Sequence, residues 1–250
     1  MATPPNRKRR HALRALGAAF VSAPLGAALG CSSDPSTPTS ASGTSTTTTT
    51  TGGGTSAQCV ESATETRGPY PDITGMANNQ AFYRQDIREG RAGTPLTVTF
   101  TVVNTRNACA PVANAAVEIW QCDAEGRYSE YAQGSFDGRG QTFLRGLQVT
   151  NASGQCTFVT VYPGWYQGRA THIHVDVIVG GQRVKSTQMA FPEDVTAQVY
   201  AQGVYAAKGQ NSTTNARDNV FSDGTSTEMA TITGSPAPGY AATLQLGIAI

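Results

Sequence analysis

The chain has 250 residues, a formal net charge of +1 and 14% charged side chains, so it carries no broad electrostatic field that would gather nucleic acid or anionic lipid. No nucleic-acid partner is expected. The first quarter is too poor in bulky apolar residues to form a core, which leaves one domain from about residue 58; ~190 residues bury about 70% of their unfolded surface and need no second domain.

At the N-terminus, Arg7, Lys8, Arg9 and Arg10 precede a small-residue apolar run from Ala15 to Gly30 that stops at Cys31. Residues 1–31 therefore read as an export signal, since a spanning helix needs ~20 strongly apolar residues. Arg9-Arg10 ahead of Ala12 and Leu13 resembles a twin-arginine signal, with an ordinary basic leader as the alternative. Ala28-Leu29-Gly30 before Cys31 resembles a bacterial lipobox, which implies membrane attachment through lipid on Cys31; simple cleavage and secretion is the alternative. Residues 32–57 are nearly all Ser, Thr, Pro and Gly, including Thr46 to Thr51 and then Gly52 to Gly54, and read as a disordered tether.

Residues 58–250 read as an all-β domain, a β-sandwich of short strands with long loops and little helix. Leu96–Val103 (LTVTFTVV) alternates β-branched residues, and Ala116–Trp120 (AVEIW) follows after a turn. Cys156–Tyr162, His172–Val179, Thr187–Phe191 and Ala242–Ile250 continue the series, separated by turn signals such as Asn151–Gly154 and Gly180-Gly181. The stretch from Val195 to Ala207 has room for a short helix, although its Tyr and Gly residues count against one.

With Cys31 given to lipid, Cys59, Cys109, Cys122 and Cys156 remain, and an even number in an exported chain suggests two disulfides. Three connectivities are open. Cys59–Cys109 and Cys122–Cys156 are preferred, because the first two lie in loop-like and the last two in strand-like segments.

Beyond His11 in the leader, the histidines are His172 and His174, at i and i+2 of one strand. Both imidazoles leave the same face of the sheet and could share a metal, or they could decorate an exposed face. Just upstream, YPGWYQGRATHIH turns at Pro163-Gly164, and the loop that follows carries Tyr166 and Arg169 into the histidine strand. Trp120, Trp165 and Tyr162 are assigned to packing.

Three blocks carry a family resemblance: AVEIWQCDAEGRYSEY, LRGLQVTNASGQCTFVTVYPGWY and GRATHIHV. From about Gly68 to Phe191 the chain resembles the intradiol ring-cleaving dioxygenases, whose members include protocatechuate 3,4-dioxygenase and catechol 1,2-dioxygenase, and looks most like their exported branch. The resemblance implies a non-haem Fe(III) centre with Tyr128, Tyr166, His172 and His174 as ligands. It implies Arg169 as the residue that stabilises charge developing on the ring, Gln188 as an active-site glutamine, and Tyr70 on the substrate side. The loop around Tyr70, ETRGPYP, departs from the family's T-E-G-P-Y-Y: Arg67 replaces the acid and Pro71 the second aromatic. The implied partners are a small aromatic diol and dioxygen, and the implied product is a muconate-type diacid opened between the hydroxyls. By that resemblance the diol displaces Tyr166 and a hydroxide, which take up its protons. A monomer is the default, since this chain lacks the segments through which the family's intracellular members assemble.

The residue types agree with that chemistry. Two phenolates and two neutral imidazoles form a hard, electron-rich set that suits Fe(III), and two phenolates cancel two of its three charges. A tyrosine titrates near pH ~10, so the metal itself must hold each phenol deprotonated. Two other readings compete: a non-catalytic tethered β-sandwich that binds carbohydrate or protein, and a zinc hydrolase built on His172 and His174, which leaves the tyrosines unexplained.

Overall fold

The alternation in LTVTFTVV produces β1 (Pro95–Asn104), in which Leu96, Val98, Phe100 and Val102 are fully buried while the intervening threonines face away. The computed structural model describes residues 59–250; the export signal, the tether and Cys31 lie outside the described residues. Strands β2 (Ala110–Pro111), β3 (Ala116–Trp120), β4 (Ala132–Gln133), β5 (Phe136–Asp137), β6 (Arg145–Val149) and β7 (Gln155–Val161) follow. Then come β8 (His172–Val179), β9 (Gln182–Ala190), one α-helix α1 (Glu193–Tyr200), β10 (Thr231–Ser235) and β11 (Gly239–Ile248).

One sheet has β1 at its centre, parallel to β11 on one side and antiparallel to β7 and β2 on the other, with β10 beyond β11. The second runs β6-β3-β8-β9, all antiparallel, and β4 and β5 form a small separate hairpin. Phe100, Phe158, Leu244 and Leu246 of the first sheet pack with Val117, Ile119, Ile173, Val175 and Met189 of the second in a single core. This is the predicted all-β sandwich. Gly180 and Gly181 join β8 to β9 at φ of +58° and +78°, the two positive values that a two-residue hairpin turn demands.

The helix starts two residues before the expected stretch, after Pro192, with Glu193 and Asp194 in its first turn where the helix dipole favours acids. It ends at Tyr200, and Gly203–Tyr205 forms a separate 3-10 turn.

Of the two expected disulfides, Cys59–Cys109 is present, whereas Cys122 and Cys156 are free and buried. The expected Cys122–Cys156 pairing fails because the two thiols pack in different clusters, on opposite sides of the second sheet. Cys156 opens β7 in the first sheet and packs in the sandwich core; Cys122 follows β3 in the second sheet and packs against Trp120 and Tyr128.

The period of two has a consequence for the second sheet. Because Val117 and Ile119, and Ile173, Val175 and Val177, point into the core, the residues between them point outward. The register lines these up as a row Arg145–Trp120–His174–Gln188 across four strands, with a second row Leu147–Glu118–Asp176–Ser186 beside it. Polar side chains on an outer face are usually solvated, yet most of these are buried. A strap of chain from Cys59 to Tyr70 covers His174, Gln188 and Asp176. It is tied to the first sheet by the disulfide and by Ser62 N–H to Gly247 O at 2.9 Å, and passes the buried Lys185 amine, which donates to Ser62 O at 3.0 Å. It then pairs with β9 through Glu65 N–H to Ser186 O at 2.9 Å.

Candidate metal centre

Under the strap, His172 and His174 face each other with Nε2 atoms 3.1 Å apart and ring planes at 89°. His172 Nδ1 lies 2.6 Å from the Ala170 carbonyl, which can only accept, so Nδ1 carries the proton and Nε2 presents a lone pair. His174 is clamped from the side by Trp120, its cross-strand neighbour, in a parallel stack at 4.8 Å and 4°. Above it sits Gly68, at φ +68°; a Cβ there would stand 2.9 Å from His174 Cε1. Burial, followed by the Arg169 charge, depresses His172 to about 3, and burial with the His172 and Arg169 charges pushes His174 far down as well. Both imidazoles are neutral, the form that binds a metal.

Two phenols complete the ring of donors. Tyr128 follows a tight turn in which the Asp123 carboxylate accepts the Glu125 and Arg127 amides at 3.0 and 2.9 Å. Its ring centroid lies 5.8 Å from that of Tyr166 and 6.3 Å from that of His174. Tyr166 lies on the Pro163–Gly168 turn, 5.7 Å from His172, and is only partly buried. The two phenol-bearing loops are joined by Lys208, whose Nζ donates to the carbonyls of Glu125 and Trp165. Burial raises both phenols, Tyr166 to about 12 against the lowering pull of Arg169, and Tyr128 further. Neither phenol would ionise unaided.

Tyr128 Oη is fully buried and has no hydrogen-bond partner among the described residues, a costly arrangement for a hydroxyl. A cation held among the four residues would resolve it. Two nitrogens each ~2.1 Å from a shared ion at a right angle are ~3.0 Å apart, close to the separation seen between the imidazoles. Among the described residues no group of three or more His, Cys, Asp or Glu gathers, so a metal here must complete its shell from the phenols. The donor set, two neutral nitrogens and two hard phenol oxygens, fits Fe(III).

The remaining candidates lie around this cluster. Arg169 is buried, its Nη1 3.4 Å from both Tyr166 Oη and His172 Nε2. Its Nη2 donates to Gln188 Oε1 at 2.5 Å, and Gln188 Nε2 donates to Thr66 O of the strap at 2.9 Å. Tyr70 stacks on Tyr128 at 4.6 Å, and its carbonyl accepts from Arg145 Nη2 at 3.1 Å. All seven residues singled out from sequence are thus in one place.

Asp218, which binds the Arg169 Nε–H at 2.9 Å, gave no signal: it lies far along the chain in a segment without periodicity. Asp176, which the alternation of β8 sets on the same face as His172 and His174, was not singled out; it is a fully buried carboxylate that accepts from Arg67 Nε at 2.7 Å and from Ser186 Oγ at 2.6 Å. Arg67, held there, lays its guanidinium 5.3 Å from the Trp120 ring centroid.

Comparison with known proteins agrees with this geometry. Residues 67–230 match the family model described as Dioxygenase, an interval that holds every residue of the centre. Over 94 residues the chain is 36% identical to the protocatechuate 3,4-dioxygenase beta chain of Burkholderia cepacia, a match covering 34% of this chain and 40% of that relative's length. An intradiol ring-cleavage dioxygenase from Tetranychus urticae superposes with a TM-score of 0.69 at 30% identity, covering 76% of this chain and 95% of that one. The dioxygenase domain of a dioxygenase carbohydrate-binding protein fusion from the cellulolytic bacterium Streptomyces sp. SirexAA-E superposes with a TM-score of 0.55 at 25% identity, covering 76% of this chain and 99% of that one. With a family model spanning most of the described fold and a structural relative matched over nearly its whole length, the chain belongs to the intradiol ring-cleavage dioxygenase family.

Proposed function

We propose that this protein opens a catechol-type ring between its two hydroxyls, adding both atoms of dioxygen to give a muconate-type diacid, with a ferric ion held by Tyr128, Tyr166, His172 and His174. The observation that carries the reading is the unpartnered Tyr128 hydroxyl, fully buried in the same cluster as two facing imidazole nitrogens. The names of the similar proteins support it. A zinc hydrolase or a non-catalytic binding sandwich gives no reason for two phenols in that position.

When bound, the ferric ion would act as a Lewis acid that takes the diol as its dianion and prepares the ring for attack by dioxygen. Tyr128, locked under Tyr70, is the fixed phenolate. Tyr166 is the partly exposed one, on a turn, and can swing out to accept at its Oη a proton released by the diol. Arg169, held by Asp218 and Gln188, keeps its guanidinium beside Tyr166 and His172, where it stabilises negative charge as the ring is attacked. The strap and the Trp120 wall keep water from the imidazoles.

The reading extends to location. The basic leader, the apolar run and Cys31 support export, with attachment through lipid on Cys31, and the Cys59–Cys109 disulfide suits an oxidising compartment.

Colour tests the metal. Iron-loaded protein should absorb broadly in the visible through phenolate-to-iron charge transfer, and Tyr128→Phe or Tyr166→Phe should shift or abolish the band. Colourless protein with stoichiometric zinc overturns the iron assignment. Oxygen uptake with a panel of catechols, followed by mass spectrometry after labelled dioxygen, tests the reaction: a diacid with both labels supports it and a semialdehyde rules it out.

A further inference from the structure

Beside the centre, on the same outer face, lies a groove of about 520 Å³ lined by Arg67, Asp72, Asn78, Asn114, Glu118 and Arg183, among others. Its floor is Glu118, 4% exposed on β3, a carboxyl with no hydrogen bond or salt bridge among the described residues. Buried carboxyls are ordinarily satisfied, and its neighbours are. Asp176, directly across the sheet, is saturated by Arg67 at 2.7 Å, Ser186 at 2.6 Å and Arg183 at 3.5 Å. Asp72 accepts the amides of Thr74, Gly75 and Met76 at 3.0, 3.0 and 2.7 Å. At the rim, the side-chain amides of the exposed Asn78 and Asn114 likewise make no hydrogen bond among the described residues.

We propose that this groove is a second subsite, anchored on the Glu118 carboxyl, for an uncharged, hydroxyl-bearing part of the substrate. The inference rests on the reading that the neighbouring centre cleaves a catechol. Charge selects the ligand class: an anion entering the groove meets Asp72 and Glu118, and a cation meets Arg67 and Arg183, whereas hydroxyls find donors and acceptors left free. Burial and the nearby Asp176 and Asp72 push Glu118 up to about 7, so near neutral pH its carboxyl both donates and accepts.

Distance supports the connection. Glu118 is two residues along β3 from Trp120, whose ring stacks on His174, and two strand residues span about 7 Å. That span matches a substituent on a ring seated at the imidazoles, and its path runs past the Arg67 side chain. Arg67 forms the wall shared by the two compartments, over Trp120 on one side and in the groove lining on the other, which gives a role to the residue at which the ETRGPYP loop departs from the family pattern.

The test compares two catechols on iron-loaded full-length protein: 4-methylcatechol, and catechin, whose catechol ring carries an uncharged hydroxylated bicycle. In Glu118→Leu the ratio of kcat/KM for catechin to that for 4-methylcatechol should fall about tenfold, and Glu118→Gln, which keeps hydrogen-bonding atoms, should restore it to within about threefold of wild type. Calorimetric titration of the metal-free proteins with catechin reads the subsite without catalysis, and Leu should weaken binding by a similar factor. An unchanged ratio together with unchanged binding, or no binding of catechin to wild type, overturns the subsite. Absence of turnover with both catechols while the calorimetric difference persists overturns the proposed activity and leaves the subsite standing.

Discussion

Asp218 accepts the Nε–H of Arg169 in both carboxylate oxygens, at 3.0 and 2.9 Å, and takes the Ala170 amide at 2.7 Å, so one buried carboxylate sets both the angle of the guanidinium and the start of the histidine strand. Removing its charge strands Arg169 in a low-dielectric site, a loss of about 3 kcal/mol for a buried pair. Asp218→Asn should lower unfolding stability by that order in urea and cut kcat at least tenfold in oxygen-uptake assays. Full activity in the variant would show that Arg169 is held by other contacts.

Gly68 lies directly against the His174 ring of the candidate centre. Gly68→Ala meets both a left-handed backbone at φ +68° and His174 Cε1 at 2.9 Å, so the strap must lift or the imidazole must tilt. A loss of about 1–3 kcal/mol in stability is expected. Titration with iron, followed in the visible, should show weaker uptake than wild type.

The neutral imidazoles make the metal-free fold sensitive to acid. The unfolded chain protonates His172 near pH ~6.5, whereas burial holds the native group neutral down to about 3. Its contribution is therefore full above the unfolded value and is lost as pH falls toward 3, at about 1.4 kcal/mol per pH unit. Urea unfolding at several pH values should show wild type losing stability relative to His172→Asn by that slope between pH 6 and 4. A pH-independent difference would mean that the imidazole is already charged in the native state.

Glu228 behaves in the opposite sense. It is fully buried, its Oε2 has no partner, and burial with the Glu65 charge pushes it up to about 7. A raised carboxyl stabilises the native state below its unfolded value of ~4.5, and that contribution is lost as pH rises through 7. Glu228→Gln should thus be more stable than wild type at pH 8, by about 1–3 kcal/mol, with the advantage gone at pH 5. Thermal unfolding at the two pH values checks it.

Much of this architecture was legible because it follows from periodicity: β1, β3, β7, β8, β9 and β11 each announce themselves by β-branched or alternating residues. β6 did not, because Arg145 and Gly146 open it; the arginine is spent on the outer polar row, and Ile87 lies where a side chain at residue 146 would point. The exposed edge strand β10, TITGS, carries too little apolar content to read. The clustered Tyr128, Tyr166, His172 and His174 were singled out through the motifs that bear them, but their supports were not. Asp176, two residues after His174 on the same strand face, was readable from the period of two and was passed over, whereas Asp218 and Lys208 reach the site through tertiary contact alone, and no spacing in the chain encodes that. The Cys122–Cys156 expectation failed for the same reason, since strand-like surroundings do not reveal in which cluster a thiol packs.

The Cys59–Cys109 disulfide sits at the beginning of the strap, ahead of every residue that roofs the imidazoles. Any mechanical load arriving through the preceding chain is therefore delivered to the first sheet at Cys109, and the contacts from Glu65 to Tyr70 carry none of it. Under the proposed attachment through Cys31, tension on the preceding chain would bypass the roof over His172 and His174.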